Sequence, residues 1–379
     1  MDFDLSDEQR LLKDSAERLI AERYSFENRK KYMAEPDGCS RELWAQYAEL
    51  GLLGLPFPEA LGGFGGGAAE TMIVMEAFGR GLILEPYFAT VVLGGGLIRH
   101  LASPAQQQEW VPLIAAGKLR LAFAHLERQS RWNLADVGTA ARQDGAFWVL
   151  NGAKGVVLHG DAADSLLVTA RVSGARTARA GIGLFLVDAS APGVTRRGYP
   201  TQDGLRAAEI AFDGARAEAV LGAPGDALPG IEWAVDEAIA ALCAEAVGAM
   251  AAMQEITLDY LKTRKQFGRA IGSFQALQHR AVDMLTAVEQ ARSMALFATV
   301  MAAEPDATER SRAISAAKAQ IGRAGKQVGQ EAIQLHGGIG MTMEYQVGHH
   351  FKRVTMIDQM FGDADSHLAR LAELGGLFR

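Results

Sequence analysis

The residues best suited to chemistry sit in one short stretch, from Thr263 to His279, which interrupts a long Ala-rich pattern. Arg264, Lys265 and Arg269 cluster there beside Gly268 and Gly272. A guanidinium presents a planar fork that matches phosphate oxygens, and glycine lets backbone approach a ligand closely. The chemistry on offer is anion binding. A turn between two helices with a solvated basic rim satisfies the same spacing. A second stretch, Gln334 to Thr342, carries Gly337, Gly338 and Gly340, where backbone can approach something flat or charged. The histidines His279, His336, His349, His350 and His367 read as surface, core or interface residues. Only His349 and His350 are close in sequence, and no carboxylate completes a metal site by spacing.

Three blocks of pattern must position these stretches. Residues 1 to about 120 read as helical. Ser6 followed by Gln9 has the capping-box form, and Leu12, Ala16 and Leu19 recur at helical spacing. Helices are expected over 41–50, 69–79 and 90–101, with Pro104 opening another. From about 121 to 225 helical periodicity is lost. Short runs at 146–150, 166–171, 183–187 and 208–212 favour strand, which suggests an antiparallel barrel or sandwich with an exposed basic hairpin tip at 173–181. From about 228 apolar residues return at helical spacing in three long runs, before and after the basic stretch, which means a bundle. The expected fold class is α+β, mostly α, with domains at 1–120, 121–227 and 228–379.

Size and composition bound the function. With 379 residues, two or three core-forming units are expected. A net charge of −7 argues against general nucleic-acid binding while leaving room for local basic sites. Two cysteines, Cys39 and Cys243, without metal or redox spacing suit a reducing cytosol. No apolar run is read as reaching the roughly 20 residues of a membrane helix, and the acidic N-terminal residues are unlike a signal peptide. A cytoplasmic protein without membrane insertion is expected.

Several of these runs together resemble the acyl-CoA dehydrogenase family. Arg264-x-Gln266-Phe267-Gly268 is followed by Phe274-Gln275, and later by Gln334-x-x-Gly337-Gly338-x-Gly340. Pro58-Glu59-x-x-Gly62-Gly63-x-Gly65, Leu205-Arg206-Ala207-Ala208 and Leu221-Gly222 agree. The resemblance spans essentially the whole chain. It implies an N-terminal helical domain, a middle β domain and a C-terminal four-helix bundle. It further implies FAD-dependent desaturation of an acyl-CoA thioester between Cα and Cβ, with an electron-transfer acceptor. In that chemistry a carboxylate removes the α proton while the flavin takes the β hydride. By the same resemblance Arg264, Phe267, Gln275, Gln334, Gly337 and Gly338 would contact an FAD held by a neighbouring subunit.

The departures fall on the rest of the site. Where the family has a Thr-Glu-Pro run, this chain has Leu126-Glu127-Arg128, and Gly152-Ala153-Lys154 is followed by Val156 and Leu158 in place of an aromatic and a Thr. The usual catalytic Glu lies in a Tyr-Glu-Gly-Thr run. Here the segment reads Phe361-Gly362-Asp363-Ala364, which puts Gly362 at the Glu position and leaves Asp363 as the nearest candidate base. A second base position used by some relatives aligns with Ala238, with Glu237 and Glu245 nearby. This combination resembles one subunit of a heteromeric α2β2 enzyme, of the kind acting on dicarboxylyl-CoA. A self-sufficient homodimer or homotetramer using Asp363, and a scaffold subunit with no cofactor role, remain open.

Overall fold

A computed structural model of the protein describes residues 5–375. The acidic residues 1–4, and residues 376–379, lie outside the described residues. The chain divides into two compact units, one of residues 31–67 and 84–238 and one of the remainder.

The first unit is built on a sheet. Its strands are β1 (Leu121–Ala124), β2 (Ala140–Asp144), β3 (Phe147–Leu158), β4 (Ser165–Arg171), β5 (Ile182–Asp188), β6 (Val194–Pro200), β7 (Arg206–Ala217) and β8 (Ala219–Leu221), in the order β6-β7-β3-β2-β4-β5-β8. Pairing is antiparallel except that β1, and the start of β2, run parallel to β4, so the sheet is mixed rather than antiparallel throughout. Leu150, Leu166, Phe185, Ile210 and Phe212 meet in its core. The expected strands at 146–150 and 208–212 are the ends or middles of much longer strands, β3 and β7. Arg171 gathers the 173–181 tip, donating to the carbonyls of Arg176, Ala178 and Ala180.

The second unit is helical. It contains α1 (Asp7–Arg23), α4 (Ala68–Gly81), α8 (Gln275–Met301), α9 (Ala307–His336), α10 (Val347–Gln359) and α11 (Ala364–Glu373), with all but the first turns of α7 (Leu228–Thr263). The helices α3 (Arg41–Glu49), α5 (Gly95–Leu101) and α6 (Pro104–Ala115) belong to the first unit, and α2 (Phe26–Met33) straddles the boundary at residue 30. The capping box at Ser6 and Gln9 is present with both reciprocal hydrogen bonds, which satisfies N–H groups that α1 would otherwise leave bare. Gly79 and Gly248 let α4 and α7 meet backbone to backbone. A Cβ on either would lie 1.9 Å from a carbonyl oxygen of the facing helix, that of Glu245 or Glu76. The interior of α7 is apolar enough by length and composition to cross a membrane, contrary to the sequence expectation. Its most apolar window is 89% buried within the protein, which accounts for that composition.

Candidate functional site

Three segments meet at one end of the helical unit: the end of α7, the start of α8 and the end of α9. Tyr260, one turn before the close of α7, packs against His336 at the end of α9, with ring centroids 4.5 Å apart, and Tyr345 lies 5.1 Å from the same imidazole. Arg280 near the start of α8 donates to Glu331 near the end of α9 at 2.6 Å. The expected cofactor residues Arg264, Phe267 and Gln275 on one side, and Gln334, Gly337 and Gly338 on the other, are therefore carried by elements tied together.

Between α7 and α8 the chain forms a two-stranded hairpin, β9 (Lys265–Gln266) and β10 (Arg269–Ala270). Its tip is Phe267-Gly268, with φ of +53° and +78°. Two left-handed residues are what a tight hairpin turn requires. Glycine meets that at no steric cost, but Phe267 does not. Phe267 is 91% exposed. The one ring contact of Phe267 among the described residues is edge-on to Phe274, at 6.1 Å between centroids, and backbone strain of this kind gathers at ligand and interface sites. Among the described residues Arg264, Lys265 and Arg269 have no carboxylate partner.

The glycine run is similarly open. Gly337 ends α9 at φ +65°. A Cβ at Gly268, Gly337 or Gly338 would meet nothing within 4 Å. Gly338 has neither a left-handed backbone nor an internal neighbour to explain it. Backbone that the fold leaves bare on purpose fits close approach by a flat or phosphorylated group. These residues thus fit the FAD half-site that the resemblance implies.

The candidate base is elsewhere. Lys318, buried on α9, donates to the carbonyls of Asp358 at 2.8 Å and Gly362 at 2.7 Å. That contact lies roughly 24 Å along α9 from Gln334 at 1.5 Å per residue. Phe361 and Gly362 both have positive φ, +57° and +119°. A Cβ at Gly362 would meet the Nε2 of His367 and the Oγ of Ser366 at 2.8 Å each. Asp363 is the N-cap of α11, its Oδ1 accepting from the Ser366 N–H at 2.8 Å. Glu245 is buried with both oxygens on Arg353, at 2.5 and 2.8 Å. Glu237 belongs to the sheet unit. It is held by Arg99 at 2.7 Å and His100 at 3.0 Å, and although burial works to raise its pKa, these partners hold it below the usual range.

The two segments that depart from the family pattern also meet, within the sheet unit. The Gly155 N–H donates to the Leu126 carbonyl at 2.8 Å. Glu127, which the sequence places in a departing segment without assigning it a role, is a buried hub. It accepts from the Lys154 ammonium at 2.7 Å, from the Gly138 and Thr139 N–H groups at 2.8 and 2.9 Å, and from the Gln129 amide at 2.8 Å. Burial would raise its carboxyl, but the Lys154 charge and these donors outweigh that and hold it at about 2. Burial lowers Lys154 to about 8, partly offset by Glu127, so the pair stays charged at neutral pH. Beside it β3 is bulged against β7, and Val156 stands exposed at φ +47°. A β-branched residue in that region is an outlier.

Comparison with known proteins completes the picture. Sequence profiles described as the acyl-CoA dehydrogenase N-terminal, middle and C-terminal domains match residues 6–118, 122–215 and 228–375. Acyl-CoA dehydrogenase FadE12 of Mycobacterium tuberculosis is 33% identical over 320 residues, 81% of this chain and 80% of that protein. A solved point variant of the Tcur3481-Tcur3483 steroid ACAD is 31% identical, with a TM-score of 0.88 over 97% of each chain. The ChsE4-ChsE5 complex from Mycobacterium tuberculosis is 26% identical, with a TM-score of 0.87 over 100% of both chains.

Proposed function

The chain belongs to the acyl-CoA dehydrogenase family, and we propose that it serves there as the subunit that completes a partner's FAD site without supplying the catalytic base. The activity class is oxidation of an acyl-CoA thioester, and the cofactor is FAD. When bound, FAD would supply the hydride acceptor for desaturation of the acyl chain. Arg264 would bind diphosphate oxygens through its fork, Phe267 and Gln275 would line that contact, and Gln334, Gly337 and Gly338 would border the adenosine end.

The carrying observation is the contrast at the turn before α11. The left-handed Gly362, followed by a residue that caps a helix, fits the Gly-Thr of the family's Tyr-Glu-Gly-Thr run better than its Glu. That register would put Phe361 at the carboxylate's position, where the motif resemblance puts Gly362. Either register leaves no acid there, and Asp363 is engaged as a cap. Two solved relatives of paired components, Tcur3481-Tcur3483 and ChsE4-ChsE5, with 31% and 26% identity, support a heteromeric assembly. We propose a three-part division near residues 120 and 227, which the matched profile limits support.

Coexpression with the partner dehydrogenase subunit, followed by Arg264→Ala in the purified complex, tests this. Loss of one charge-assisted contact should weaken FAD retention roughly 10–100-fold with the assembly intact. Unchanged FAD occupancy would overturn the role of Arg264. Flavin bleaching by acyl-CoA in this chain alone would overturn the missing base. The substrate we propose is a dicarboxylyl-CoA, and the compartment the cytoplasm, on the resemblance of the chain to the small subunit of pimeloyl-CoA dehydrogenase. A kcat/KM for pimeloyl-CoA no higher than for heptanoyl-CoA or a steroid-side-chain thioester would exclude it.

A further inference from the structure

We propose that Arg269 is a second diphosphate-binding residue, held in place by the face of Phe274, so that the hairpin acts as a two-arginine clamp. The inference rests on the reading that this chain completes an FAD site, and it adds a residue which that reading does not use. Gln266 pairs with Arg269 across the hairpin, and Lys265 with Ala270. The Ile271 N–H donates to the Arg264 carbonyl at 2.8 Å, which continues the ladder by one step. Side chains alternate between faces along a strand, and directly paired residues share a face. Arg264, Gln266 and Arg269 therefore project from one face and Lys265 from the other. Arg264 and Arg269 are diagonal neighbours, a spacing of about 7–8 Å between backbones that two long side chains can close onto one diphosphate.

The guanidinium of Arg269 is not left to wander. Its Cζ lies 4.1 Å from the centroid of the Phe274 ring, and Phe267 meets that ring edge-on at 6.1 Å with an interplanar angle of 89°. A cation over an aromatic face is attracted by the ring quadrupole and keeps its N–H groups free at the ring's margin. Phe274 is also the N-cap of α8 and makes no side-chain cap bond, so the first N–H groups of that helix point the same positive end outward. Arg269 is exposed, and no carboxylate among the described residues neutralises it. A site with two guanidiniums prefers a diphosphate to a single phosphate, and so FAD to FMN.

The test uses the coexpressed complex, stripped of flavin and titrated with FAD and with FMN at two salt concentrations. Arg269→Ala should weaken FAD roughly tenfold, lower the FAD/FMN preference and reduce the salt dependence. Phe274→Leu should weaken FAD about threefold, and Arg269→Lys should recover only part of the loss, because an ammonium cannot form the fork. Lys265→Ala removes the same charge from the opposite face and should change FAD affinity less than twofold. Wild-type FAD affinity and salt dependence in Arg269→Ala, beside a weakened Arg264→Ala, would overturn the clamp and leave the parent reading standing. Equal losses in Lys265→Ala and Arg269→Ala would also overturn it, since they would show a general field. No loss in Arg264→Ala would remove the parent reading itself.

Discussion

The bundle-end loops and the Glu127–Lys154 region, or rim, of the sheet unit differ in how far the chain's own fold explains their residues. At the rim the interior survives: Glu127 and Lys154 are buried, paired and surrounded by donors. By the family resemblance, Leu126 and Val156 stand there where flavin-facing groups would be. At the bundle end the outward groups survive: Phe267 is strained and exposed, and Gly338 is bare without an internal reason. Residues that a chain's own fold explains persist for stability. A strained, exposed residue that the fold does not explain fits a role toward something outside the chain. The two regions separate these causes.

The largest expected effect tests the rim. Replacing Lys154 by Met strands a buried carboxylate among its remaining donors and should cost about 3–5 kcal/mol in urea unfolding. If the rim is purely structural, FAD retention by whatever folded complex remains should be unchanged. A mild loss of stability with a large loss of FAD would place the rim in the cofactor site and break the comparison.

Gly362→Glu comes next. It forces a side chain into a left-handed backbone against His367 and Ser366, and should cost about 2–3 kcal/mol without conferring flavin bleaching by acyl-CoA. A folded, active variant would show that only the acid was missing.

Acid exposes the interior of the bundle. Burial, reinforced by Arg29, His349 and Arg80, lowers His350 to about 3, and burial with Lys318 and Arg370 does the same for His367. The unfolded chain binds these protons near the ordinary value of 6.5, so stability is complete above that pH and is lost as pH falls toward 3. Between pH 7 and 5 each should contribute about 2 kcal/mol of destabilisation, read from denaturant midpoints. A flat profile would show that these imidazoles are not held neutral.

Helices were legible because they repeat. Apolar spacing located α7, α8 and α9, and Ser6-Gln9 marked the start of α1. The strands β2, reading Ala-Ala-Arg-Gln-Asp, and β6, which begins Val-Thr-Arg-Arg, were missed because polar side chains hide the two-residue period. The site was legible only as motifs. Glu127 and Lys154 lie far apart in sequence, and a buried ion pair has no local signature. The turn before α11 did carry a signal: Gly before Asp is a left-handed residue before a helix cap, and that order identifies Asp363 as a cap.

The smallest effect separates the two causes most sharply. Gly338→Ala adds a methyl group where nothing lies within 4 Å and where the backbone is not left-handed. Alanine restricts the unfolded chain more than glycine does, so the isolated chain should gain about 0.4–1 kcal/mol of stability. In the assembled complex the same methyl group stands where we place the cofactor's adenosine end, so FAD should bind more weakly. Stability and affinity would then move in opposite directions from one methyl group. Gly337→Ala would not discriminate, because φ of +65° penalises alanine whatever surrounds it. If Gly338→Ala stabilises the chain and leaves FAD retention untouched, that glycine owes nothing to a ligand, and the bundle end loses one of the two residues that set it apart from the rim.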